Sequence, residues 1–233
     1  MVPLLLCGGL AQAQDAFEIQ VYDAETAAPG ETGLEVHTNH VVSDAAATHL
    51  TLEPHLGIAD WFEIGGYFQT AVDGDGTFRY AGVKLRAKAR LARRLWDDRL
   101  GVAVNVELSA IPERYEDNVW GTEVRPILDL TVGRLYVSVN PIITVDLRGD
   151  LAGHPQLEPS AKLAVNVVGT LSLGIESYSA FGPIDDLGSE RVERLLGAVD
   201  WTSPWVDVNV GAGYAWGTPD HVVVKAIFGV HPP

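Results

Sequence analysis

The sequence predicts an all-β protein, a single antiparallel β-barrel of about twelve strands that crosses a membrane. About a dozen stretches of the 233-residue chain alternate apolar with polar residues, and all six tryptophans lie at or just beyond the ends of these stretches. Successive side chains of a strand point to opposite faces, so each stretch has one apolar and one polar face. Apolar residues outside and aromatic rings at the rims are typical of a bacterial outer-membrane barrel.

Thirteen segments show the alternation. The first, residues 17–23, is the shortest, so we assign residues 14–32 to an N-terminal periplasmic or edge segment and residues 33–233 to the barrel. A single-chain bacterial barrel has an even number of strands, which favours twelve and leaves ten or fourteen as alternatives. The expected strands are residues 33–43, 48–58, 60–71, 77–91, 100–110, 119–132, 134–146, 157–168, 170–180, 191–201, 205–215 and 220–230.

The connections between these strands fall into two classes, which is a third observation in favour of the barrel. The tight links are residues 59–60, 133–134, 169–170 and 202–204, with residues 92–99 as a longer exception. The opposite set is mostly longer and comprises residues 73–76, 111–118, 147–156 and 181–190. Outer-membrane barrels have short turns at the periplasmic end and longer loops at the other.

Residues 1–13 (MVPLLLCGGLAQA) are predicted to be the apolar core and cleavage site of a secretory signal peptide that lacks its basic n-region. Cleavage after Ala13 leaves Gln14 as the mature N-terminus. The one cysteine, Cys7, lies in this leader, so no disulfide is expected. The formal net charge of −15 argues against nucleic acid as a partner, because nucleic-acid binding requires a basic surface.

The predicted faces follow from the alternation. In residues 100–110, Val102, Val104 and Val106 point one way, and Asn105 and Glu107 point the other. The apolar set is expected to face lipid. The tryptophans are expected to form an aromatic girdle at the two membrane interfaces; they are Trp61, Trp96, Trp120, Trp201, Trp205 and Trp216.

Four cations, Lys84, Arg86, Lys88 and Arg90, alternate along one strand. An Arg or Lys on the lipid face at mid-membrane costs roughly 2–4 kcal/mol, so this row is expected to face the lumen. If residues 73–76 form the hairpin centre, Glu63 lies across from Arg86, and Lys84 lies across from Glu107. Such a ladder is either a salt-bridged plug or the lining of an anion path. The expected lumen constriction comprises Glu63, Lys84, Arg86, Lys88, Arg90, Glu107, Glu123 and Arg125.

A second polar cluster comprises Glu35, His37, Glu53 and His55. A turn near residues 44–45 pairs Glu35 with His55 and His37 with Glu53. Imidazoles and carboxylates on adjacent strands could bind zinc or another divalent ion, or could change charge between pH 5 and 8. The alternative is an ordinary polar lumen wall, because one register slip removes the alignment.

The sequence resembles outer-membrane barrels of Gram-negative bacteria, including the porin-like barrels associated with transport in phenol degradation. The resemblance is carried by residues 52–67 (LEPHLGIADWFEIGGY), 84–88 (KLRAK) and 101–109 (GVAVNVELS), and extends over residues 48–180. It implies insertion by the barrel insertion machinery, which reads a terminal aromatic residue. The chain departs from that pattern, since Phe228 is followed by five further residues.

We therefore expect a barrel in the outer membrane of a Gram-negative bacterium. Its function would be that of a narrow passive channel for a small solute or of a plugged structural barrel, without a cofactor and with outer-membrane lipid as a partner. One alternative is a secreted or periplasmic soluble barrel that binds an apolar ligand, with the faces reversed. A rim lipid hydrolase is the third reading. It would use His40, Ser43 and Ser109, but no nucleophile-elbow pattern is present, and we do not expect an enzyme.

Overall fold

A computed structural model describes residues 16–42, 47–91, 93–115, 119–149, 152–188, 191–218 and 221–231. The predicted signal peptide and Ser43 lie outside these residues. The strands are β1 (Thr32–Val42), β2 (Ala47–Ala59), β3 (Phe62–Val72), β4 (Phe78–Arg90), β5 (Leu100–Ala110), β6 (Trp120–Val132), β7 (Leu135–Asn140), β8 (Ile143–Asp146), β9 (Gln156–Leu157), β10 (Ser160–Val168), β11 (Leu171–Ala180), β12 (Val192–Thr202), β13 (Val206–Trp216) and β14 (Val222–Val230).

The strands form one closed antiparallel barrel. Strands β1 to β6 and β10 to β14 each pair with their neighbours in sequence, and β1 pairs with β14 from Leu34–Val230 to Val42–Val222, which closes the ring. Strands β7 and β8 both pair with β6 and form one crossing interrupted at Pro141. Strands β9 and β10 form the next crossing in the same way. The described residues therefore make twelve crossings, which confirms the predicted fold class and strand count.

The connections confirm the two predicted ends of the barrel. Tight turns follow β2, β6, β10 and β12, and a short helical turn, α1 (Leu95–Asp98), lies at the same end. The longer connections, including a 3-10 turn at Ile184–Asp186, lie at the other. We call these the short-turn end and the loop end. None of the helices in the described part of the chain is long and apolar enough to cross a membrane.

The outer surface of the barrel is apolar and the interior is polar. Leu85 on β4 and Ile175 on β11 are 68% and 50% exposed, whereas Arg86 and Glu176, their neighbours in the chain, are buried. The same alternation runs along β5, β6, β12 and β14. This arrangement contradicts the soluble-barrel alternative, which requires the apolar face inside. An apolar outer surface of this extent is stable in lipid and not in water.

Residues 16–27 correct one prediction. We expected them at the periplasm or at an edge of the sheet, but the structure places them inside the barrel as an irregular segment, here called the lumen segment. Phe17, Glu18 and Ile19 are buried, and their neighbours belong to strands on opposite walls. The segment forms no strand because side chains of the wall, and not a neighbouring backbone, satisfy its hydrogen bonds.

Candidate functional site in the barrel lumen

The lumen segment runs the length of the barrel. At the loop end, the ring of Phe17 packs against His49 and Tyr115. At the short-turn end, Ala27 N–H donates to Glu63 at 2.7 Å. The chain then passes over Gly57, where a Cβ would lie 2.0 Å from the carbonyl oxygen of Ala28. A glycine at this position is therefore required for the segment to enter the lumen.

Polar side chains of the wall hold the backbone of the segment at several heights. Asn140 Oδ1 accepts from Tyr22 N–H at 2.7 Å, and Asp129 Oδ2 accepts from Ala24 N–H at 2.6 Å. On the opposite wall, Lys225 Nζ donates to the carbonyl oxygen of Ile19 at 2.9 Å. Because these bonds replace water around a buried backbone, they fix the path of the segment.

The centre of the lumen is a network of buried charges around Glu18. Arg125 Nη2 lies 2.8 Å from Glu18 Oε1, and Lys84 Nζ lies 3.2 Å from Glu18 Oε2. Lys84 also contacts Glu107 at 3.3 Å. The phenol oxygens of Tyr22 and Tyr67 are hydrogen-bonded to each other beside this network. Each buried charge here has a partner of opposite sign, which is the condition for burying it without a large penalty.

The predicted basic row faces inward. Some of its members contact carboxylates of the wall, and others contact the lumen segment. Arg86 lies 2.6 Å from both Glu53 and Glu63. Lys88 contacts Asp23 at 3.4 Å, and Arg90 Nε donates to Thr26 at 2.9 Å. Sequence reasoning missed the acids of the lumen segment, Glu18 and Asp23, which complement Lys84, Arg125 and Lys88.

The predicted ion pairs Glu63–Arg86 and Glu107–Lys84 both form, but the strands do not pair in the predicted register. Glu63 pairs across the strands with Lys88, and Arg86 pairs with Gly65 on one side and with Glu107 on the other. A bulge between Gln69 and Thr70 shifts the register. Gly65 has no side chain, and a Cβ there would lie 2.8 Å from Arg86 Nε. Arg86 therefore crosses β3 diagonally to reach both carboxylates.

The remaining predicted constriction residues lie together. Glu123 accepts from Arg125 Nε at 2.7 Å, and Glu107 accepts from Asn105 Nδ2 at 2.8 Å. Both belong to the network around Glu18. The eight predicted residues thus line one wall, β3 to β6, and the lumen segment packs against that wall.

A second polar wall, on β10 to β14, was not predicted as a site. Lys162 contacts Asp200 at 2.5 Å and Glu176 at 3.1 Å, and Lys225 contacts Glu176 at 2.5 Å. Asn209 donates to both carboxylates. The alternation that places Val222 and Val224 outward puts Lys225 inward, so the sequence did carry a signal for this wall.

The second predicted cluster forms, but β1 and β2 pair in a different register from the one predicted. Glu35 pairs with Glu53, and His37 pairs with Thr51, so the expected cross-strand pairs are wrong by two residues. The side chains still meet, because His37 Nε2 lies 2.9 Å from Glu53 Oε2 and 3.5 Å from Glu35 Oε2. His55 pairs with Gly33 instead and is separate from this group, with its ring 6.2 Å from that of His231.

The other predicted site residues have clear positions. All six tryptophans are exposed; Trp61, Trp96, Trp201 and Trp205 lie at the short-turn end, and Trp120 and Trp216 at the loop end. Of the residues considered for a rim hydrolase, His40 hydrogen-bonds Thr48 on the outer face, whereas Ser109 is buried on the inner face. The structure does not bring these two residues together.

The lumen segment leaves space beside it. A cavity of about 310 Å³ lies between the segment and the second wall. Its charged lining residues are Asp23, Glu35, Glu176, Asp200, Asp207, Lys162 and Lys225. A second cavity of about 300 Å³ lies near the short-turn end, between Glu35, Glu53 and His231. The two cavities share Glu35 and Asp207 of the wall, so the segment leaves part of the lumen open.

No protein-family model matches the chain, and no curated protein matches its sequence. Solved structures do share the fold. The COG4313 outer membrane channel from Pseudomonas putida F1 has a TM-score of 0.63 and 14% identity over 92% of this chain and 100% of that chain. The NanC porin has a TM-score of 0.57 at 12% identity, over 86% and 99% of the two chains.

The KdgM porin in complex with disordered oligogalacturonate has a TM-score of 0.55 at 10% identity, over 84% of this chain and 98% of that chain. At these identities the likeness concerns the fold. The chain therefore has the fold of the bacterial outer-membrane β-barrels, as the sequence analysis predicted.

Proposed function

We propose that this chain is a passive outer-membrane channel whose lumen is narrowed by its own lumen segment. In this proposal a small solute passes between the segment and the wall formed by β10 to β14. The single observation that carries the proposal is that residues 16–27 traverse the lumen while a cavity of about 310 Å³ remains beside them. A gap of this size with a polar lining admits small solutes and excludes large ones.

The membrane setting is supported by the outer surface. Leu85, Val168 and Ile175 are at least half exposed, and they would be unfavourable in water. The tryptophans near both ends suit the two lipid–water interfaces. Outer-membrane lipid is thus the proposed surrounding partner. The exposed Phe228 on β14 is the residue that we propose the barrel insertion machinery reads.

The charge of the cavity favours a cation or a neutral polar molecule as the solute. Five carboxylates and two amines line it, and both amines are engaged by carboxylates. A path with excess negative charge concentrates cations. The KdgM porin is described in complex with oligogalacturonate, an acidic sugar. We do not propose that solute class for this chain, because the cavity would repel it.

A plugged structural barrel is the second candidate, and the buried ion pairs around Glu18 favour it. Planar-bilayer recording separates the two. We expect the full chain to give a small, steady conductance and a variant lacking residues 16–24 to give a conductance several-fold larger. The control is Glu25→Gln, whose side chain is half exposed at the mouth and should leave conductance nearly unchanged.

Two results would contradict the proposal. Absence of conductance in the full chain, with conductance in the deletion variant, would establish the plugged barrel. Equal conductance in both would mean that the lumen segment does not limit the path. Heat-modifiable migration of each protein on a detergent gel confirms that the barrel has folded before recording.

A further inference from the structure

We propose that Glu35, His37 and Glu53 form a binding site for one divalent transition-metal ion, with zinc as the representative ion. The site lies on the inner face of β1 and β2, next to the lumen segment. One ligand atom from each residue lies within 4.8 Å of those of the other two. The inference is independent of whether the channel conducts.

The geometry suits a tetrahedral ion. Ligand atoms about 2.0–2.2 Å from zinc are separated from one another by about 3.4 Å. The distances from His37 Nε2 to Glu53 Oε2 and Glu35 Oε2 are 2.9 Å and 3.5 Å, so shifts of a few tenths of an ångström suffice. One imidazole with two carboxylates favours zinc and its neighbours, whereas calcium and magnesium prefer oxygen ligands alone.

The charge around the site favours a cation. Arg86 contacts the other oxygen of Glu53 at 2.6 Å, but Arg86 is shared with Glu63 at 2.6 Å. The cavity that adjoins the site is lined by seven carboxylates and by two cations, Arg86 and Lys88, so negative charge is in excess. The contact with Arg86 also fixes the orientation of Glu53, as the outer partners of metal ligands do.

A fourth ligand is available from the lumen segment. Gln20 Nε2 donates to Glu35 Oε2 at 3.2 Å, while its buried Oε1 has no hydrogen-bond partner among the described residues. A 180° rotation of this amide brings the unpartnered carbonyl oxygen to the position that faces Glu35. An ion bound in this way would link the wall of the barrel to the lumen segment.

The site also has an entry path. Glu35 and Glu53 line the cavity of about 300 Å³ near the short-turn end, together with His55, Asp207 and His231. His231 Nε2 lies 2.7 Å from Asp207 Oδ2 along this path. An ion can therefore reach Glu35 and Glu53, which both contact His37, from the short-turn end without displacement of a strand.

Calorimetric titration of zinc chloride into tag-free, chelator-treated full-length protein in detergent tests the proposal. We expect one zinc per chain, at least tenfold weaker binding for His37→Gln, and unchanged binding for His154→Gln, an exposed histidine near the loop end. Calcium chloride should bind far more weakly. Substituted cobalt should give the visible absorption bands of a tetrahedral ion.

Absence of stoichiometric zinc binding by the full chain would overturn the proposal. So would wild-type affinity in His37→Gln, because zinc would then be held elsewhere, for instance by His55, Asp207 and His231. If heat-modifiable migration shows that His37→Gln does not fold, the same zinc titration is done with Glu35→Gln, whose carboxylate lies at the edge of the cavity. Its expected loss of affinity is also at least tenfold.

Discussion

Arg125 on the barrel wall and Glu18 in the lumen segment form an ion pair that is shielded from solvent on both sides. Arg125 Nη2 lies 2.8 Å from Glu18 Oε1, and each side chain is 1% exposed. The guanidinium also lies over the ring of Tyr22, 4.2 Å from its centroid. This pair connects the segment to the middle of β6, and through Lys84 to β4.

A double-mutant cycle on this pair should show strong coupling. Arg125→Met and Glu18→Gln should each destabilise the folded barrel by about 3–5 kcal/mol, because each removes one partner from a buried network in which, among the described residues, Glu18 otherwise keeps only the ion pair with Lys84 and Arg125 only that with Glu123. The double variant should lower the free energy of unfolding by less than the sum of the two single variants. Urea-induced unfolding in lipid vesicles measures these changes in the free energy of unfolding. Additive effects would mean that the pair does not hold the segment.

Arg86 and Lys88 are adjacent members of the basic row and should differ in their contribution to stability. Arg86 contacts two buried carboxylates, whereas the partner of Lys88, Asp23, is half exposed. Arg86→Met should therefore reduce the free energy of unfolding by about 3–5 kcal/mol, and Lys88→Met by much less. The same unfolding assay compares them. An equal loss would contradict the contacts described for Arg86.

The two faces of β11 should respond differently to an added charge. Ile175→Arg places a cation in lipid near the middle of the strand and should cost about 2–4 kcal/mol. Ser172→Arg places it beside the cavity, across from Asp200, and should be tolerated. Both variants are compared by the yield of heat-modifiable barrel and by the free energy of unfolding in urea. The reverse order would mean that the inner and outer faces are exchanged.

The acids of the cavity should set ion selectivity. Asp200→Asn with Asp207→Asn removes two of the five carboxylates and should shift the reversal potential in a potassium chloride gradient away from cation preference. The matched control is Asp185→Asn, an exposed acid at the loop end, which should leave the reversal potential unchanged. An equal shift in both variants would mean that ions take another path.

The sequence predicted the barrel well because lipid imposes one rule on every strand. Val104 and Asn105 must face opposite sides of the sheet wherever the strand begins, so strand positions and faces follow from period-two alternation. Register did not follow from the sequence. The bulge at Gln69 shifts the pairing of β3 with β4, and β1 pairs with β2 two residues away from the predicted register. Nothing in the alternation marks either shift.

The lumen segment was missed for a physical reason. It lies inside the barrel and has no lipid face, so the alternation of residues 17–23 does not decide which of its side chains are buried. Phe17 and Ile19 are as deeply buried as Glu18 between them. The remaining signal is the basic row, since the inward-facing Lys88 and Arg90 require carboxylates, and those that they contact, Asp23 and Glu25, belong to the lumen segment.

Disulfide trapping of the lumen segment tests the central claim most directly. Ile19 and Val223 pack together in the lumen, so Ile19→Cys with Val223→Cys, in a chain carrying Cys7→Ser, should cross-link on mild oxidation and migrate faster on a non-reducing gel. We predict that the cross-linked protein keeps the small conductance of the unmodified chain. Failure to cross-link in folded barrels, or a several-fold rise in conductance after cross-linking, would contradict a segment that occupies and narrows the lumen.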